Sequence, residues 1–233
     1  MKTVSLSVIV PVFNEEKTIL KVLQALNKLQ LEDTALEVIV VNDGSNDRTN
    51  EILAEHKNLY NLYLKNEKNQ GKGAAIIKGI EVSNSDYIIF QDSDLEYDPN
   101  NFDNFVKIIK KFDPDYVSGS RFHYRNYTRS HYFFNNLGNK ILTFLFNMLY
   151  NTTFTDIYTC YICFKKKLLD TSKINAKGFE SHVQIQSQVI KKSSLIYEIS
   201  IDYNGRTTSE GKKIKFYHFF SVIFYMFIER FKN

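Results

Sequence analysis

Apolar residues along the first 120 positions follow two alternating periods. Continuous apolar runs at 6–13 (LSVIVPVF) and 37–41 (EVIVV) predict strands that are buried on both faces. Shorter runs predict further strands at 61–64, 86–90 and 115–118. Helical patterns separate them at 15–29, up to about 56, at 71–82 and at 101–111, and Asn14 is predicted to cap the first helix. This alternation predicts an α/β fold with a doubly wound, mostly parallel sheet.

The second half of the chain has a different pattern. Helices are predicted at 132–150, 179–190 and 214–231, a strand at 195–203, and a polar loop at 204–213. The first and last of these helices combine a narrow polar stripe with a broad apolar face. We therefore expect one domain over 1–212, made of two halves at 1–120 and 121–212. An amphipathic helix over 213–233 completes the predicted organisation.

Charge is distributed unevenly over the 233 residues. The whole chain carries a net charge of +4, but residues 163–233 carry 13 basic against 6 acidic side chains, a net of +7. A basic, aromatic segment suggests an anionic partner, although a solvated lysine-rich face gives the same composition. The basic residues follow no recognised nucleic-acid motif, so we expect no nucleic-acid partner.

The two cysteines and the longest apolar runs indicate the cellular compartment and the relation to a membrane. Cys160 and Cys163 have no second metal-binding pair at suitable spacing, and they are expected to be buried structural thiols in a reducing cytoplasm. The N-terminal segment lacks the pattern of a signal peptide, and the run at 216–228 is too short to span a bilayer. The last helix and the helix at 132–150 are instead predicted to lie on the cytoplasmic face of a membrane, or to pack on each other or across a homodimer.

Polar clusters follow three of the predicted strands. They are Asn14-Glu15, the segment 42–45 (NDGS) and the segment 92–96 (DSDLE). Ligands of open parallel sheets bind beyond the carboxyl ends of the strands, so these clusters are expected to converge. In 92–96, the acids alternate as D-x-D-x-E, which places three hard oxygen ligands on one side of an extended segment. Such ligands suit Mg²⁺ or Mn²⁺, which would clamp a diphosphate.

The ordered set of motifs resembles family 2 glycosyltransferases with the GT-A fold. The similarity is greatest to dolichyl- or polyprenyl-phosphate sugar synthases and extends over nearly the whole chain. It is carried by SVIVPVFNEE, EVIVVNDGSNDRT, NQGKGAAIIKGI, DYIIFQDSDLEYDP, DYVSGSRF, LGNKILTFL, TDIYTCY and YNGRTTSEGKKIK. The resemblance implies transfer of a hexose, with inversion, from a UDP- or GDP-sugar to a polyprenyl-phosphate-like lipid. It also implies that 1–120 is the nucleotide-sugar-binding half of the domain and 121–212 the acceptor half.

The resemblance also implies roles for individual residues. Those predicted to bind the base and ribose are Pro11, Glu15 and Asp43. Lys72 belongs to the donor-binding set. Asp92, Asp94 and Glu96 would hold the metal and the donor diphosphate. The predicted catalytic residues are Asp92, Asp94 and Arg121. Arg121 would face the acceptor phosphate, while Arg206 and Lys212 would close over the phosphates.

The chain departs from the family pattern at several positions. Asn42 stands where the family usually has a first aspartate, and His182 stands where relatives often carry an acid. His131 and Asn135 occupy places where an arginine and a serine are frequent. A lipid phosphate is already anionic and needs positioning and charge screening more than a general base. The nearest carboxylates outside the metal set are Asp156 and Glu180, and the sequence does not rank them.

Two other functions fit the same sequence. The first is transfer to a hydroxyl acceptor in cell-surface glycan synthesis, which requires a general base. The second is a non-catalytic nucleotide-binding or scaffold module, which the complete acidic set argues against. A dinucleotide-dependent dehydrogenase is disfavoured because no G-x-G-x-x-G follows the first strand.

Overall fold

The fold is built on one seven-stranded sheet. The computed structural model describes residues 3–122, 133–205 and 217–232. The strands are β1 (Val4–Val12), β2 (Thr34–Asn42), β3 (Leu62–Lys65), β4 (Tyr87–Phe90), β5 (Tyr116–Ser120), β6 (Ile162–Lys165) and β7 (Ile196–Ser200). Their order across the sheet is β3-β2-β1-β4-β6-β5-β7. All pairings are parallel except those of β6, which runs antiparallel to both of its neighbours.

Seven α-helices accompany the sheet in the described part of the chain. They are α1 (Ile19–Asn27), α2 (Thr49–Glu55), α3 (Lys72–Val82), α4 (Phe102–Phe112), α5 (Phe133–Tyr150), α6 (Glu180–Lys192) and α7 (Tyr217–Phe231). Short 3-10 turns occur at Lys57–Leu59, Pro99–Asn101, Lys166–Leu168 and Thr171–Lys173. The alternation predicted for the first 120 residues is therefore confirmed, with ends that differ by a few residues.

The core lies on both faces of the central strands. Eight of the nine residues of β1 are buried, because β2 and β4 flank it and helices cover it. Helix α3 packs closely on β1 at Gly79, where an added Cβ would lie 2.6 Å from Cγ2 of Ile9. The continuous apolar run at 6–13 is thus explained by burial on two sides.

Two local predictions are wrong. The first helix begins at Ile19, not near residue 15, and Asn14 does not cap it. Asn14 has a left-handed backbone (φ 52°), and its side chain accepts a hydrogen bond from the Asn46 amide across the loop. Strand β6 was not predicted, because a four-residue apolar segment has no period of its own. The sheet consequently takes strands from both predicted halves, 1–120 and 121–212.

Helices α5 and α7 pack together, and several of their polar side chains are directed inward. On α5, Thr143 is buried and accepts a hydrogen bond from the Ile157 amide, and Asn147 bonds the backbone of Phe154. On α7, Glu229 is buried and accepts a hydrogen bond from Gln184 of α6. The Tyr150 hydroxyl joins the two helices by donating to the carbonyl of residue 226.

The outward faces of α5 and α7 are apolar. Phe134 is 81% exposed and Phe224 is 60% exposed. Other exposed apolar side chains on the two helices are Phe133, Leu137, Ile141, Phe144, Met148, Phe220, Phe227, Ile228 and Phe231. None of the described helices is both long enough and apolar enough to cross a bilayer. The broad apolar faces predicted from the sequence are therefore present, and packing between the helices covers only part of them.

Candidate active site

One pocket opens at the edge of the sheet where the parallel strands end. Its volume is about 400 Å³. Every predicted site residue in the described part of the chain lines it: Pro11, Glu15, Asp43, Lys72, Asp92, Asp94, Glu96 and Arg121. The prediction that the three polar clusters converge is therefore confirmed. Arg206 and Lys212 lie outside the described residues.

The reversed strand β6 brings additional residues into the pocket. Because β6 is antiparallel to β4 and β5, its N-terminal end lies at the edge where those strands end. Tyr158, Thr159 and Cys160 precede β6 and line the pocket. Both cysteines are buried and free, as predicted, but Cys160 also belongs to the pocket wall. This role was not predicted for Cys160, although the matched stretch TDIYTCY contains it, because the strand itself was not predicted.

Asp43 organises the backbone at the end of the pocket formed by β1 and β2. Its Oδ1 accepts from the Asn66 side chain (2.7 Å) and the Gln70 amide (3.0 Å), and its Oδ2 accepts from the Gly71 amide (2.8 Å). Gly71 has φ 102°, and an added Cβ would lie 2.4 Å from the Lys177 carbonyl oxygen. Glycine is therefore required here. Asp43 thus fixes the turn into α3 and does not cap α2, whose first amide bonds Asp47.

Glu15 is buried on the same side of the pocket. Its Oε2 accepts a hydrogen bond from the Thr18 hydroxyl (2.8 Å), and its amide donates to the hydroxyl of Thr49 (3.0 Å). These bonds tie the segment after β1 to the start of α2. The left-handed backbone of Asn14 makes the sharp turn that places Glu15 there.

Lys72 and Asp92 form an ion pair at the centre of the pocket. The ammonium of Lys72 lies 2.5 Å from Oδ1 of Asp92. Burial opposes both charges, but the attraction between them outweighs it, raising the pKa of Lys72 and lowering the pKa of Asp92. A hydrogen bond from the Cys160 thiol also lowers the pKa of Asp92. The pocket therefore holds a positive and a negative charge side by side at the end of β4.

The three acids of the D-x-D-x-E segment line the pocket but are not close enough together to form a complete metal-binding cluster. Oδ1 of Asp94 accepts the Glu96 amide (3.1 Å), and Oε2 of Glu96 accepts the Tyr203 hydroxyl (2.7 Å). Within residues 3–122, 133–205 and 217–232, no cluster of three acidic, histidine or cysteine side chains is close enough to hold a metal alone. Mg²⁺ is commonly bound by one or two carboxylates completed by substrate phosphates, so this donor set fits such an ion.

Arg121 is held at the opposite end of the pocket by a buried carboxylate. Its Nε and Nη2 donate to the two oxygens of Asp156 at 2.7 and 2.9 Å, and Nη2 also donates to the Tyr158 carbonyl. Burial opposes the charge of each, and the ion pair outweighs it: the pKa of Asp156 is lowered and that of Arg121 is raised. Asn139 of α5 donates to Oδ1 of Asp156 at 3.0 Å. The Arg121 ion pair is thus connected directly to α5.

Tyr203 connects the two ends of the site. Its hydroxyl donates to Glu96, and its ring packs against that of Tyr97 with centroids 4.9 Å apart and planes tilted by 54°. The Arg121 guanidinium carbon lies 5.1 Å from the centroid of the Tyr203 ring. The Asn204 amide donates to the Glu96 carbonyl. The first residue of the polar loop predicted at 204–213 is therefore hydrogen-bonded to the D-x-D-x-E segment.

His182 lies in the first turn of α6 and lines the pocket. Burial, together with the nearby charge of Lys72, lowers its pKa to about 3. The imidazole is therefore neutral at pH 7. Five pocket or pocket-side residues had no role predicted from the sequence. Tyr158, Cys160 and Asp156 lie in the matched stretch TDIYTCY, Tyr203 begins the matched stretch YNGRTTSEGKKIK, and His182 departs from the family pattern.

Comparisons with known proteins identify sequence relatives of the chain. The family model described as Glycosyl transferase family 2 matches residues 7–172. An uncharacterized protein of Methanocaldococcus jannaschii is 33% identical over 213 residues, which is 86% of this chain and 90% of that protein. The dolichyl-phosphate beta-glucosyltransferase ALG5A of Trichomonas vaginalis is 35% identical over 116 residues, 46% of this chain and 36% of that protein.

Solved structures show the fold. The chain superposes with a TM-score of 0.72, at 18% identity, on glucosyl-3-phosphoglycerate synthase of Mycobacterium tuberculosis in complex with Mn²⁺, uridine diphosphate and phosphoglyceric acid. The match covers 97% of this chain and 78% of that one. The predicted GT-A fold is therefore confirmed.

Proposed function

The chain belongs to glycosyl transferase family 2, and on this premise we propose that it transfers a hexose from a UDP- or GDP-sugar to a polyprenyl-phosphate-like lipid. One observation carries the proposal: a single pocket contains the Lys72–Asp92 pair, Arg121 and the three residues predicted to bind the base and ribose. Those three are Pro11, Glu15 and Asp43. A donor lying across the strand ends has its base near β1 and β2 and its diphosphate near β4. Its anomeric carbon then faces the Arg121 end.

A divalent ion, Mg²⁺ or Mn²⁺, would be held by Asp94 with Asp92 and Glu96. When bound, it neutralises charge on the departing diphosphate. Lys72 adds a positive charge at the same place, because Asp92 holds its ammonium on the pocket wall. Pro11, Glu15 and Asp43 would bind the base and ribose. The hydrogen bonds of Glu15 and Asp43 hold the segments that follow β1 and β2 in place.

In the transfer, an oxygen of the acceptor phosphate attacks the anomeric carbon. The bond between that carbon and the diphosphate oxygen breaks, its electron pair leaves with the nucleoside diphosphate, and the configuration inverts. An anionic acceptor requires positioning more than a base. Asp156, the carboxylate beside Arg121, is engaged by Arg121 and Asn139 and is not positioned to take a proton. This engagement favours a phosphate acceptor over a hydroxyl acceptor.

The donor part of the proposal is tested by thermal unfolding with UDP- and GDP-sugars in the presence of Mn²⁺. A ligand at 100 times its Kd stabilises the folded state by about 2.7 kcal/mol. We expect one donor to raise the melting temperature, and Asp94→Asn to abolish the increase. Asp103→Asn, on the exposed surface of α4, is the control and should keep it. If no nucleotide sugar changes the melting temperature, the donor proposal is wrong.

The acceptor part implies work at a membrane surface. Several polar side chains of α5 and α7 face inward and most of their phenylalanines are exposed, which is the arrangement expected of helices covered by an apolar phase. Asn139 joins α5 to the Asp156–Arg121 pair, so a lipid phosphate bound at Arg121 would have its chain beside this apolar face. We therefore propose a peripheral position on the cytoplasmic face of a membrane, and a homodimer through the same face is the competing arrangement.

Sedimentation with anionic vesicles separates the two arrangements. We expect the protein to pellet with vesicles at low salt, and the double variant Phe220→Glu with Phe224→Glu to remain in the supernatant. Val82→Glu with Leu195→Glu places the same charge on exposed apolar residues outside α5 and α7 and should still pellet. Absence of vesicle binding, together with a Phe220/Phe224 variant that changes from dimer to monomer, would establish the dimer instead.

A further inference from the structure

The turn that carries Lys72 is held by a segment that is distant in sequence. Helix α3 begins at Lys72, and the residue before it, Gly71, has no side chain to cap the first turn. The amides of Gly73 and Ala74 instead donate to the Lys177 carbonyl, at 2.8 and 3.3 Å. The first amides of a helix have no partner within it, so this carbonyl acts as the cap of α3.

Gln184 of α6 fixes the segment 173–178, to which that carbonyl belongs. Its Oε1 accepts the amides of Asn175 (3.1 Å) and Ala176 (3.0 Å), and its Nε2 donates to the Asn175 side chain (3.0 Å). Gln184 is fully buried, so these bonds are shielded from water. Ala176 directly precedes Lys177 in the chain. The amides that Gln184 binds are therefore next to the carbonyl that caps α3.

A buried carboxylate on α7 sets the orientation of the Gln184 amide. Oε1 of Glu229 accepts a hydrogen bond from Nε2 of Gln184 at 2.6 Å, and the Lys232 ammonium lies 3.3 Å from the same oxygen. A carboxylate only accepts hydrogen bonds, so the NH₂ group of Gln184 must face Glu229. The carbonyl of the same amide then faces the segment 173–178, as its bonds there require.

Lys72 connects this arrangement to the donor site. Its turn is held from two sides, because Asp43 accepts the Gly71 amide on one side and Lys177 accepts the Gly73 amide on the other. Between these two bonds the Lys72 side chain extends into the pocket. A displacement of about 1 Å, even one that originates far from the chemistry, can lower a rate about 100-fold. The position of the turn therefore matters for the charge that Lys72 supplies.

We propose that Gln184 is a positioning residue of the donor site: it holds the segment 173–178 against the start of α3 and thereby keeps the Lys72 ammonium at the donor diphosphate. Glu229 supports this role by orienting the Gln184 amide. The inference rests on the proposed function, because it assumes a nucleoside diphosphate beside Lys72. Neither Gln184 nor Glu229 is among the described residues that line the pocket, so both act through Lys72.

A double-mutant cycle tests whether Gln184 acts through Lys72. The affinity for UDP or GDP, whichever binds the wild-type protein, is measured with Mn²⁺ by calorimetry in Gln184→Leu, in Lys72→Met and in the double variant. We expect Gln184→Leu to weaken binding about fivefold in the wild-type background. In the Lys72→Met background it should have no further effect, because residues that act through one another are not additive.

Gln186→Leu is the matched control. Gln186 is also buried on α6, but its side chain donates to the Tyr116 hydroxyl and not to the segment 173–178. This variant removes a buried hydrogen bond of the same kind, so its fold should be destabilised as well. Its affinity for the nucleoside diphosphate should nevertheless equal that of the wild-type protein.

An exchange of the two side chains keeps their volumes and gives a second test. Gln184→Glu places a carboxylate against that of Glu229 and should also weaken nucleoside-diphosphate binding. Adding Glu229→Gln restores an amide–carboxylate pair in the reverse direction, and we expect it to recover most of the affinity. A double variant that binds no better than Gln184→Glu would contradict the inference.

The ligand-free protein provides an independent readout. The Gly73 amide is bonded to the Lys177 carbonyl, so its hydrogen exchange, followed by NMR, reports whether the segment 173–178 is in place. We expect exchange about fivefold faster in Gln184→Leu, and the wild-type rate in Gln186→Leu.

Two further outcomes overturn the inference. The same loss of affinity from Gln184→Leu in the Lys72→Met background would show that Gln184 acts independently of Lys72. Unchanged affinity in Gln184→Leu would show that the position of Lys72 does not depend on it. A wild-type protein that binds neither UDP nor GDP would refute the proposed function itself. That result is distinct from the other two, and the Gly73 exchange then still decides whether Gln184 fixes the turn.

Discussion

Arg121 and Asp156 form a bidentate ion pair, with Nε–Oδ2 and Nη2–Oδ1 distances of 2.7 and 2.9 Å and a carboxylate that is fully buried. Much of the charge of Arg121 is therefore balanced within the protein. Arg121 then acts on an acceptor phosphate as part of a fixed, hydrogen-bonded group. Its exposed fraction of 15% leaves a limited surface for that contact.

Removing one member of this pair should cost stability as well as activity. Arg121→Met leaves a buried carboxylate unpaired, and we expect a loss of about 3–5 kcal/mol in the free energy of unfolding, measured in urea. The double variant Arg121→Met with Asp156→Leu should recover most of that loss but remain unable to use a lipid-phosphate acceptor. Wild-type transfer by the double variant would show that Arg121 does not contact the acceptor.

Substitutions of Asp92 and of Asp94 should differ in their effect on the stability of the fold. Asp92→Asn and Asp94→Asn are both expected to abolish Mn²⁺-dependent donor binding. Without ligand, only Asp92→Asn should destabilise the fold, by about 1–3 kcal/mol, because it leaves the Lys72 ammonium without its charged partner. Unfolding in chelator measures this difference. Donor binding that survives both substitutions would exclude the acidic segment as the metal site.

Tyr203 is predicted to position Glu96. Tyr203→Phe removes the 2.7 Å hydrogen bond to Oε2 of Glu96 but keeps the ring on which Tyr97 and Arg121 pack. A bond of this kind contributes about 1 kcal/mol, so we expect roughly fivefold weaker Mn²⁺ binding in the presence of a nucleoside diphosphate. Calorimetric titration of Mn²⁺ checks it. Unchanged affinity would show that Glu96 does not contribute to the metal site.

His182 predicts a specific pH dependence of stability. Its folded pKa of about 3 lies below the ordinary histidine value of 6.5, so between these values only the unfolded chain takes up the proton. Stability should therefore fall as the pH decreases from 6.5. At pH 5.5 this one group accounts for about 1.4 kcal/mol relative to pH 8. The charged groups that act on it are Lys72, Asp92, Arg121 and Asp156.

Urea unfolding in chelator at the two pH values measures this effect. His182→Phe should lose less stability between pH 8 and 5.5 than the wild-type protein, because phenylalanine takes no proton in either state. Equal losses in the two proteins would show that the histidine is solvated and titrates normally in the folded state.

The part of the site at the ends of β1, β2 and β4 was predictable, because the strands and helices there have a clear hydrophobic periodicity. Buried strands such as β1 and β2 produce long apolar runs, and the polar clusters directly after them must meet at one edge of the sheet. The D-x-D-x-E segment was placed in the same way, because it directly follows the buried strand β4. Composition alone did not place these residues, and the order of motifs along the chain made their roles specific.

The other half was not predictable from the pattern. β6 has four residues, and its reversed direction depends on pairing with β4 and β5, which are distant in sequence. Tyr158 and Cys160 enter the pocket only because of that reversal. The polar stripe of α5 was recognised, but its inward direction depends on partners such as the backbone of Phe154. Tertiary contacts of this kind leave no local signal in the chain.

A transfer assay with matched lipids determines whether the acceptor is a lipid phosphate. The protein, Mn²⁺ and the donor selected by thermal unfolding are incubated with a polyprenyl phosphate and, separately, with the same polyprenol lacking the phosphate. Mass spectrometry of the lipid extract then measures the addition of one hexose. We predict a hexosylated product from the polyprenyl phosphate alone, and its loss in Asp94→Asn. Hexose transfer to the free polyprenol, or no transfer to the phosphate with a donor that binds, would contradict this account.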